Sequence, residues 1–283
     1  MREAMKKADV LIEVLPYIKK FHKKIFVIKY GGSILGEERI RKAVLEDIVF
    51  LRYTGIKPIL VHGGGPNITE RLKKHKISTE FVEGMRVTDE FTLKIVEEEL
   101  SKLNDLIVKE INTHGELGKG FKRENNLLKV TKKESKKDLG FVGEMIDFDR
   151  EKLENALENF IPVISPMGKS SEGIVFNINA DEVACFLASS LKAEKLIFLT
   201  NVLGVMRRPS DDNSLISTLT LEEAEELIKE KIIEEGMIPK VKSAIKAIKE
   251  GVNKAHIVDA KIPHAILLEI FTNEGIGTEI LKE

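Results

Sequence analysis

Two rhythms of hydrophobic positions divide the chain. From Ile25 onward, short runs rich in Ile, Val and Leu (Ile25–Tyr30, Pro58–His62, Ile161–Ser165, Lys195–Thr200 and Ala255–Asp259) alternate with amphipathic segments near 36–54, 67–76, 88–113, 180–191, 220–231 and 240–250. Uninterrupted apolar runs of strand length suit strands covered on both faces. Their alternation with helices predicts an α/β fold, a three-layer αβα sandwich around a central, mostly parallel sheet. Ahead of the first strand, residues 4–22 carry Val10, Leu11, Val14, Leu15, Ile18 and Phe21 at helical spacing, with Glu13, Lys19 and Lys20 on the other side. This N-terminal helix is an appendage to the fold, and Pro16 is expected to kink it or end its first part. Residues 118–150 are more polar, with short β-prone pieces such as Leu127–Val130, and are read as hairpins projecting from the sheet.

Composition narrows the function. The 283 residues, 42% of them hydrophobic, suit one large α/β domain or two modest lobes sharing a core. Charged residues make up 32%, yet the formal net charge is -1, which argues against a nucleic-acid backbone or an anionic membrane as the main partner. The lone cysteine, Cys185, excludes an internal disulfide and is expected to be a buried small hydrophobe. The six histidines show no ligand spacing, so no metal site is expected. No apolar run reaches membrane-spanning length, and the N-terminus lacks the features of a signal peptide, so the cytoplasm is the expected location.

Glycine clusters at strand ends carry the clearest chemistry. Ile25–Tyr30 runs into Gly31-Gly32-Ser33, and Pro58–His62 runs into Gly63-Gly64-Gly65-Pro66. Successive glycines let backbone N–H groups converge on an anion, and a following helix adds its N-terminal positive end. Neither cluster is a P-loop or a Rossmann fingerprint. Instead Lys29 lies inside the first apolar strand, where its charge is costly unless it meets an anion or a structural partner. Arg86 precedes a helix that Thr88 or Asp89 can cap, and its guanidinium suits a carboxylate. Asn177-Ile178-Asn179-Ala180-Asp181 and Gly236-Met237-Ile238-Pro239-Lys240 each lead into a further helix, Pro239 as a first-turn residue.

Taken in order, Lys29-Tyr30-Gly31-Gly32, Val61-His62-Gly63-Gly64-Gly65-Pro66, Arg86-Val87-Thr88-Asp89, Asn177 to Asp181 and Gly236 to Lys240 resemble the amino-acid kinase family, in its N-acetylglutamate-phosphorylating branch. The resemblance runs from about residue 10 to the C-terminus. It implies ATP-dependent phosphorylation of the γ-carboxylate of N-acetyl-L-glutamate, in arginine biosynthesis, with ATP and Mg²⁺ as the substrate complex. It further implies an acyl amino acid-binding and dimerisation half at 24–175 and an ATP-binding half at 176–283. Lys29 and Lys240 would stabilise the transferring phosphoryl group, with Asp181 orienting both lysines. Gly31, Gly32, Gly64 and Gly65 would offer backbone donors, and Gly64, Gly65, Arg86 and Asn177 would hold the acyl amino acid. Asn201, Gly204 and Lys240 would border the nucleotide. A carboxylate is already a nucleophile at neutral pH, so such a site needs charge stabilisation rather than a general base.

The chain departs from the family pattern in two places. Thr200-Asn201-Val202-Leu203-Gly204-Val205 carries Asn201 where an aspartate is usual, which bears on nucleotide affinity. His114 to Phe121 lacks the usual small-residue pattern. The N-terminal segment Leu15-Pro16-Tyr17-Ile18 and the C-terminal His264 to Phe271, with Gly275 to Thr278, resemble the arginine-sensitive type. The resemblance there implies arginine as inhibitor, bound near Tyr17, His264, Glu269 and Gly277, and a hexamer in which helix 1–23 joins dimers. The alternatives are a sibling kinase for another acidic amino acid, such as aspartate or N-acetyl-aminoadipate, and a catalytically weak arginine-sensing paralogue.

Overall fold

The computed structural model describes the whole chain except residues 32–34, 83, 209–210, 234–235 and 274, and the side chains of residues 3, 4, 6 and 7. Helix α1 (Arg2–Phe21) leads into β1 (Ile25–Tyr30), α2 (Glu38–Tyr53), β2 (Lys57–His62) and α3 (Gly65–Lys74). The short pair β3 (Phe81–Val82) and β4 (Met85–Arg86) precedes the long α4 (Glu90–Ile111). Then come β5 (Gly118–Phe121), β6 (Leu128–Lys132), β7 (Val142–Phe148), α5 (Arg150–Asn159), β8 (Ile161–Ile164), β9 (Met167–Lys169) and β10 (Val175–Ile178). The second half runs through α6 (Ala180–Ser190), β11 (Lys195–Thr200), β12 (Thr218–Thr220), α7 (Leu221–Lys229), α8 (Ile238–Lys249), β13 (Lys254–Asp259), α9 (Ala265–Phe271) and β14 (Thr278–Leu281).

Eight strands form the main sheet in the order β12-β14-β13-β11-β1-β2-β8-β5. Every neighbouring pair is parallel except β13 with β14. Alternate side chains of the central strands feed two cores, as the two-residue period of a strand requires. Val27, Ile59, Val61, Leu196 and Phe198 join one cluster with residues of α5, α6, α7 and α8. Phe26, Ile28, Leu60, Ile197 and Leu199 join the other with α2, α9, the end of α4 and Phe21 of α1. This is the three-layer arrangement expected from the apolar runs.

The segment 118–150 corrects one expectation. Only β6 and β7 form an antiparallel hairpin there, and with β9 and β10 they close a small second sheet. Gly118–Phe121 is instead an edge strand of the main sheet, parallel to β8. Its glycines hid it. Gly120 sits so close to α4 that a Cβ would lie 2.4 Å from Asn104 Oδ1. Pro16 lies inside α1, which continues past it to Phe21. The apolar stripe of α1 divides: Val14, Tyr17, Ile18 and Phe21 pack on the chain's own core, whereas Val10, Leu11, Ile12 and Leu15 are exposed.

One glycine in this architecture fixes the strand-to-helix turn that carries Arg86. Gly140 has φ +71, and a Cβ there would lie 2.2 Å from Thr88 O. The close approach lets Thr88 N donate to Leu139 O (2.9 Å) and Phe141 N donate to Thr88 O (2.7 Å). Gly140→Ala should therefore destabilise the chain by more than about 1 kcal/mol in urea unfolding, because it combines left-handed strain with a backbone clash. A midpoint within error of the parent would show that the Thr88–Gly140 contact is not tight.

Candidate active site

The site begins with strand parity. In β1, Val27 and Lys29 point to the α6 face while Ile28 and Tyr30 point away, so Lys29 emerges beneath the N-terminus of α6. There Lys29 Nζ lies 2.8 Å from Asp181 Oδ1, with only 11% and 16% of the two side chains exposed. Asn179 caps α6 by accepting from Asp181 N at 2.8 Å, which places Asp181 in the first turn facing the strand end. The pair is an ion pair in a poorly solvated place, where opposite charges hold each other strongly.

The same two residues line a cavity of about 270 Å³ together with Gly64, Gly65, Arg86 and Asn177. Gly64 is packed against α4, where a Cβ would lie 2.8 Å from Leu100 Cδ2, while Gly65 opens to space. Gly64 caps α3 and Pro66 occupies its first turn, so the positive end of that helix faces the cavity. Asn177 lies on β10 beside Val142 of β7.

Arg86 is a buried charge with no carboxylate beside it among the described residues. It is 6% exposed, donates from Nη2 to Thr69 Oγ1 (2.7 Å) and Gly65 O (3.1 Å), and lies 4.7 Å above the ring of Phe81. Its Nη1 is buried without a hydrogen-bond partner among the described residues. Burial lowers its pKa, and no carboxylate offsets that among the described residues. Asp89, not Thr88, caps α4, accepting from Thr92 N at 2.7 Å.

A second cavity, of about 190 Å³, opens beside the first at the end of β11 and is lined by Thr200, Asn201, Gly204, Gly236 and Lys240. Gly31, expected to offer its N–H to the phosphoryl group, instead donates it to Leu199 O of β11 (3.3 Å), so that donor is used within the sheet. Lys240 sits in the first turn of α8 behind Pro239, as its motif predicts. Among the described residues Asp181 pairs with Lys29 alone, so the expected joint orientation of both lysines is not present in this geometry. Gly32 lies outside the described residues.

The C-terminal residues form a separate network. Tyr17 Oη donates to Asn273 Oδ1 (2.6 Å), and its ring meets Phe271 edge-on. His264 contacts buried Asp47 through Nδ1 (2.7 Å), and Asp47 also accepts from Ile266 N at the start of α9. Glu269 bonds His256 Nδ1 (2.7 Å) and accepts from Ile276 N (2.8 Å) and Gly277 N (2.9 Å), so its carboxylate is occupied within the chain. Burial works to raise the Glu269 pKa, but the His256 contact and the two N–H groups outweigh it and hold it low. The motif reading missed Lys195 and His256. Lys195 Nζ lies 2.7 Å from His256 Nε2 and 5.4 Å from the Phe21 ring centroid. A lysine opening an apolar strand was the available signal.

The family of the chain follows from these features and from its relatives. A model of the amino acid kinase family matches residues 24–259, and the chain belongs to that family. It is 48% identical over 301 aligned residues to the acetylglutamate kinase of Aquifex aeolicus, with 100% of both chains covered. It is 46% identical to the acetylglutamate kinase of Desulforamulus reducens, again across 100% of both. Its fold matches that of N-acetylglutamate synthase from Neisseria gonorrhoeae, solved with coenzyme A and N-acetyl-glutamate, with a TM-score of 0.89 and 26% identity. That match covers 98% of this chain and 63% of the longer synthase chain.

Burial of Lys195 depresses its pKa from 10.5 to about 8. A base whose folded pKa is lowered binds fewer protons in the native state than in the unfolded one, so stability rises with pH between those two values. Lys195→Met should remove this rise between about pH 8 and 10.5, measured by urea unfolding across that range. Parallel stability profiles for the two proteins would show that Lys195 is not desolvated.

Proposed function

We propose that the chain transfers the γ-phosphoryl group of ATP to the γ-carboxylate of N-acetyl-L-glutamate, forming N-acetylglutamyl 5-phosphate for arginine biosynthesis. The observation that carries the substrate side is Arg86, a buried guanidinium whose Nη1 has no partner among the described residues, on the wall of the cavity that holds Lys29 and Asp181. A substrate carboxylate supplies the missing acceptor and countercharge. Full-length relatives named acetylglutamate kinase support the same choice.

In this reading the acyl amino acid occupies the cavity of Gly64, Gly65, Arg86 and Asn177, and ATP occupies that of Asn201, Gly204 and Lys240. Residues 24–175 thus supply most of the acyl-substrate cavity, with Asn177 and Asp181 reaching it from 176–283, which also supplies the ATP cavity. Lys29 and Lys240 act on the moving phosphoryl group, helped by backbone donors at Gly32, Gly64 and Gly65. Asp181 holds Lys29 in place rather than accepting a proton, since the nucleophile is ionised already. Mg²⁺ enters with the ATP phosphates, held mainly by them and by water. The cytoplasm is the proposed setting, and no helix among the described residues is long and apolar enough to cross a membrane.

Trapping acyl phosphate with hydroxylamine tests the substrate directly. N-acetylglutamate should give product well above glutamate, aspartate and N-acetyl-aminoadipate, and preference for any of those three would replace this assignment with a sibling activity. Lys29→Ala and Lys240→Ala should each lower kcat about a hundredfold, the usual loss of one transition-state contact. Arg86→Ala should instead raise the KM for the acyl amino acid. If Lys240→Ala altered only the KM for ATP, its place on the phosphoryl group would be wrong.

We further propose that arginine inhibits the enzyme and that α1 joins dimers into a hexamer. The exposed Val10, Leu11, Ile12 and Leu15 on α1 form an apolar face suited to a second copy of the helix. Tyr17 ties α1 to Asn273 of the C-terminal segment, and Glu269, bonded to the Gly277 N–H in that segment, would exchange an internal contact for the effector's guanidinium, with His264 at the start of α9 nearby in the chain. Deleting residues 1–22 should leave an active dimer with much weaker arginine inhibition. A full-length protein that sediments as a dimer and ignores arginine would overturn this regulation and leave the kinase assignment standing.

A further inference from the structure

The loop Gly63-Gly64-Gly65 lines the acyl-substrate cavity, yet its conformation is fixed from the opposite side of the sheet. His62, the last residue of β2, follows Leu60 toward the α4 face and is fully buried. Its Nδ1 lies 3.1 Å from Gly63 O, and its Nε2 lies 3.1 Å from Asn104 Nδ2. Asn104, also fully buried, places the same Nδ2 at 2.9 Å from Val163 O.

These contacts determine each proton in turn. A carbonyl oxygen only accepts, so Val163 O fixes the Asn104 amide with its NH₂ toward β8 and its Oδ1 toward Gly120. The second hydrogen of that NH₂ then meets His62 Nε2, which must be the unprotonated nitrogen. The proton of the neutral ring is therefore on Nδ1, where it donates to Gly63 O. Burial favours the neutral ring, lowering its pKa from 6.5 to about 4. In a planar trans peptide the C=O and the next N–H point in opposite directions. Holding Gly63 O against the ring thus turns the Gly64 N–H away from it. Gly64 is buried, and its N–H has no acceptor among the described residues.

We infer that His62, held in one tautomer by Asn104, is a positioning residue that aims the Gly64 N–H at an oxygen of the acyl substrate. The inference rests on the acyl-kinase reading of the cavity and adds to it a buried residue behind the glycine loop. Gly120 belongs to the same device, since any side chain there would displace Asn104.

Two isosteres separate positioning from packing, because an Asn amide reproduces the Nδ1–H of histidine and a Gln amide reproduces its Nε2. His62→Gln keeps the contact to Asn104 and loses the donor to Gly63. It should raise the KM for N-acetylglutamate about tenfold, the scale of one misdirected hydrogen bond, with the KM for ATP unchanged. His62→Asn keeps the donor and should recover most of that loss, even where both variants unfold at similarly lowered temperatures. Equal kinetics in the two variants would overturn the inference. A long-range ¹H–¹⁵N spectrum of the wild-type protein gives a readout independent of activity and of mutant folding. It should show the Nδ1–H tautomer of His62 at neutral pH, and an Nε2–H tautomer or a charged ring would overturn the inference. Wild-type protein that does not phosphorylate N-acetylglutamate would instead sink the functional reading, with the tautomer still deciding the arrangement of His62.

Discussion

Parallel strands finish at the same edge of a sheet, and the active site is a consequence of that geometry. With β1 paired to β2 on one side and β11 on the other, Tyr30, His62 and Thr200 come to the same edge, and three loops open there together. Lys29 is carried to that edge by strand parity and meets Asp181, whose own place is set by the cap of α6. Neither residue needs its neighbours in sequence to find the other. The sheet register does it, which explains why two cavities can lie side by side across the single strand β1.

The charges at this edge are deliberately unequal in their compensation. Lys29 has Asp181, so its burial is tolerable without a ligand. Arg86 has hydroxyl and carbonyl acceptors and an aromatic face, but no carboxylate among the described residues. Neutral acceptors satisfy hydrogen-bonding capacity without cancelling charge, so the guanidinium retains its attraction for an anion. Positive helix ends at α3 add to it. In the proposed reaction, an edge built this way attracts two negatively charged reactants and lowers the repulsion between them, which is the central difficulty of phosphorylating a carboxylate.

What the sequence disclosed follows from which interactions are local. The core strands were legible because burial on both faces leaves runs such as Ile25–Tyr30 and Lys195–Thr200 almost wholly apolar. Helix α5 was not, since only Leu153, Ala156 and Leu157 of its ten residues are buried and the rest read as a polar loop. Strands of three or four residues, β9, β10, β12 and β14, are too short to show a period. Glycine loops, Arg86, Asp181 and Lys240 were found because motifs preserve order along the chain. His62 with Asn104, and Lys195 with His256 and Glu269, join residues far apart in sequence whose types are unremarkable alone. Only the fold brings them together.

The same logic bears on α1, whose two halves answer to different constraints. Its second half is part of the domain: Phe21 packs edge-on against Phe26 of β1, its ring lies beneath Lys195, and Tyr17 reaches Asn273. Lys195 opens β11, and β11 ends at Thr200 on the cavity of Asn201, Gly204 and Lys240. A strand buried along its length and paired on both sides is a stiff connector, so a change in how α1 sits on Lys195 has a short physical route to the cavity at the far end of β11. Such a route transmits only the free energy by which a ligand prefers one seating of α1 over another. The buried chain of Lys195, His256, Glu269 and the Gly277 amide is where that preference would arise, because its charges are desolvated and its hydrogen bonds are already matched. An effector that exchanged one of those contacts would act on the residue against which Phe21 of α1 is packed.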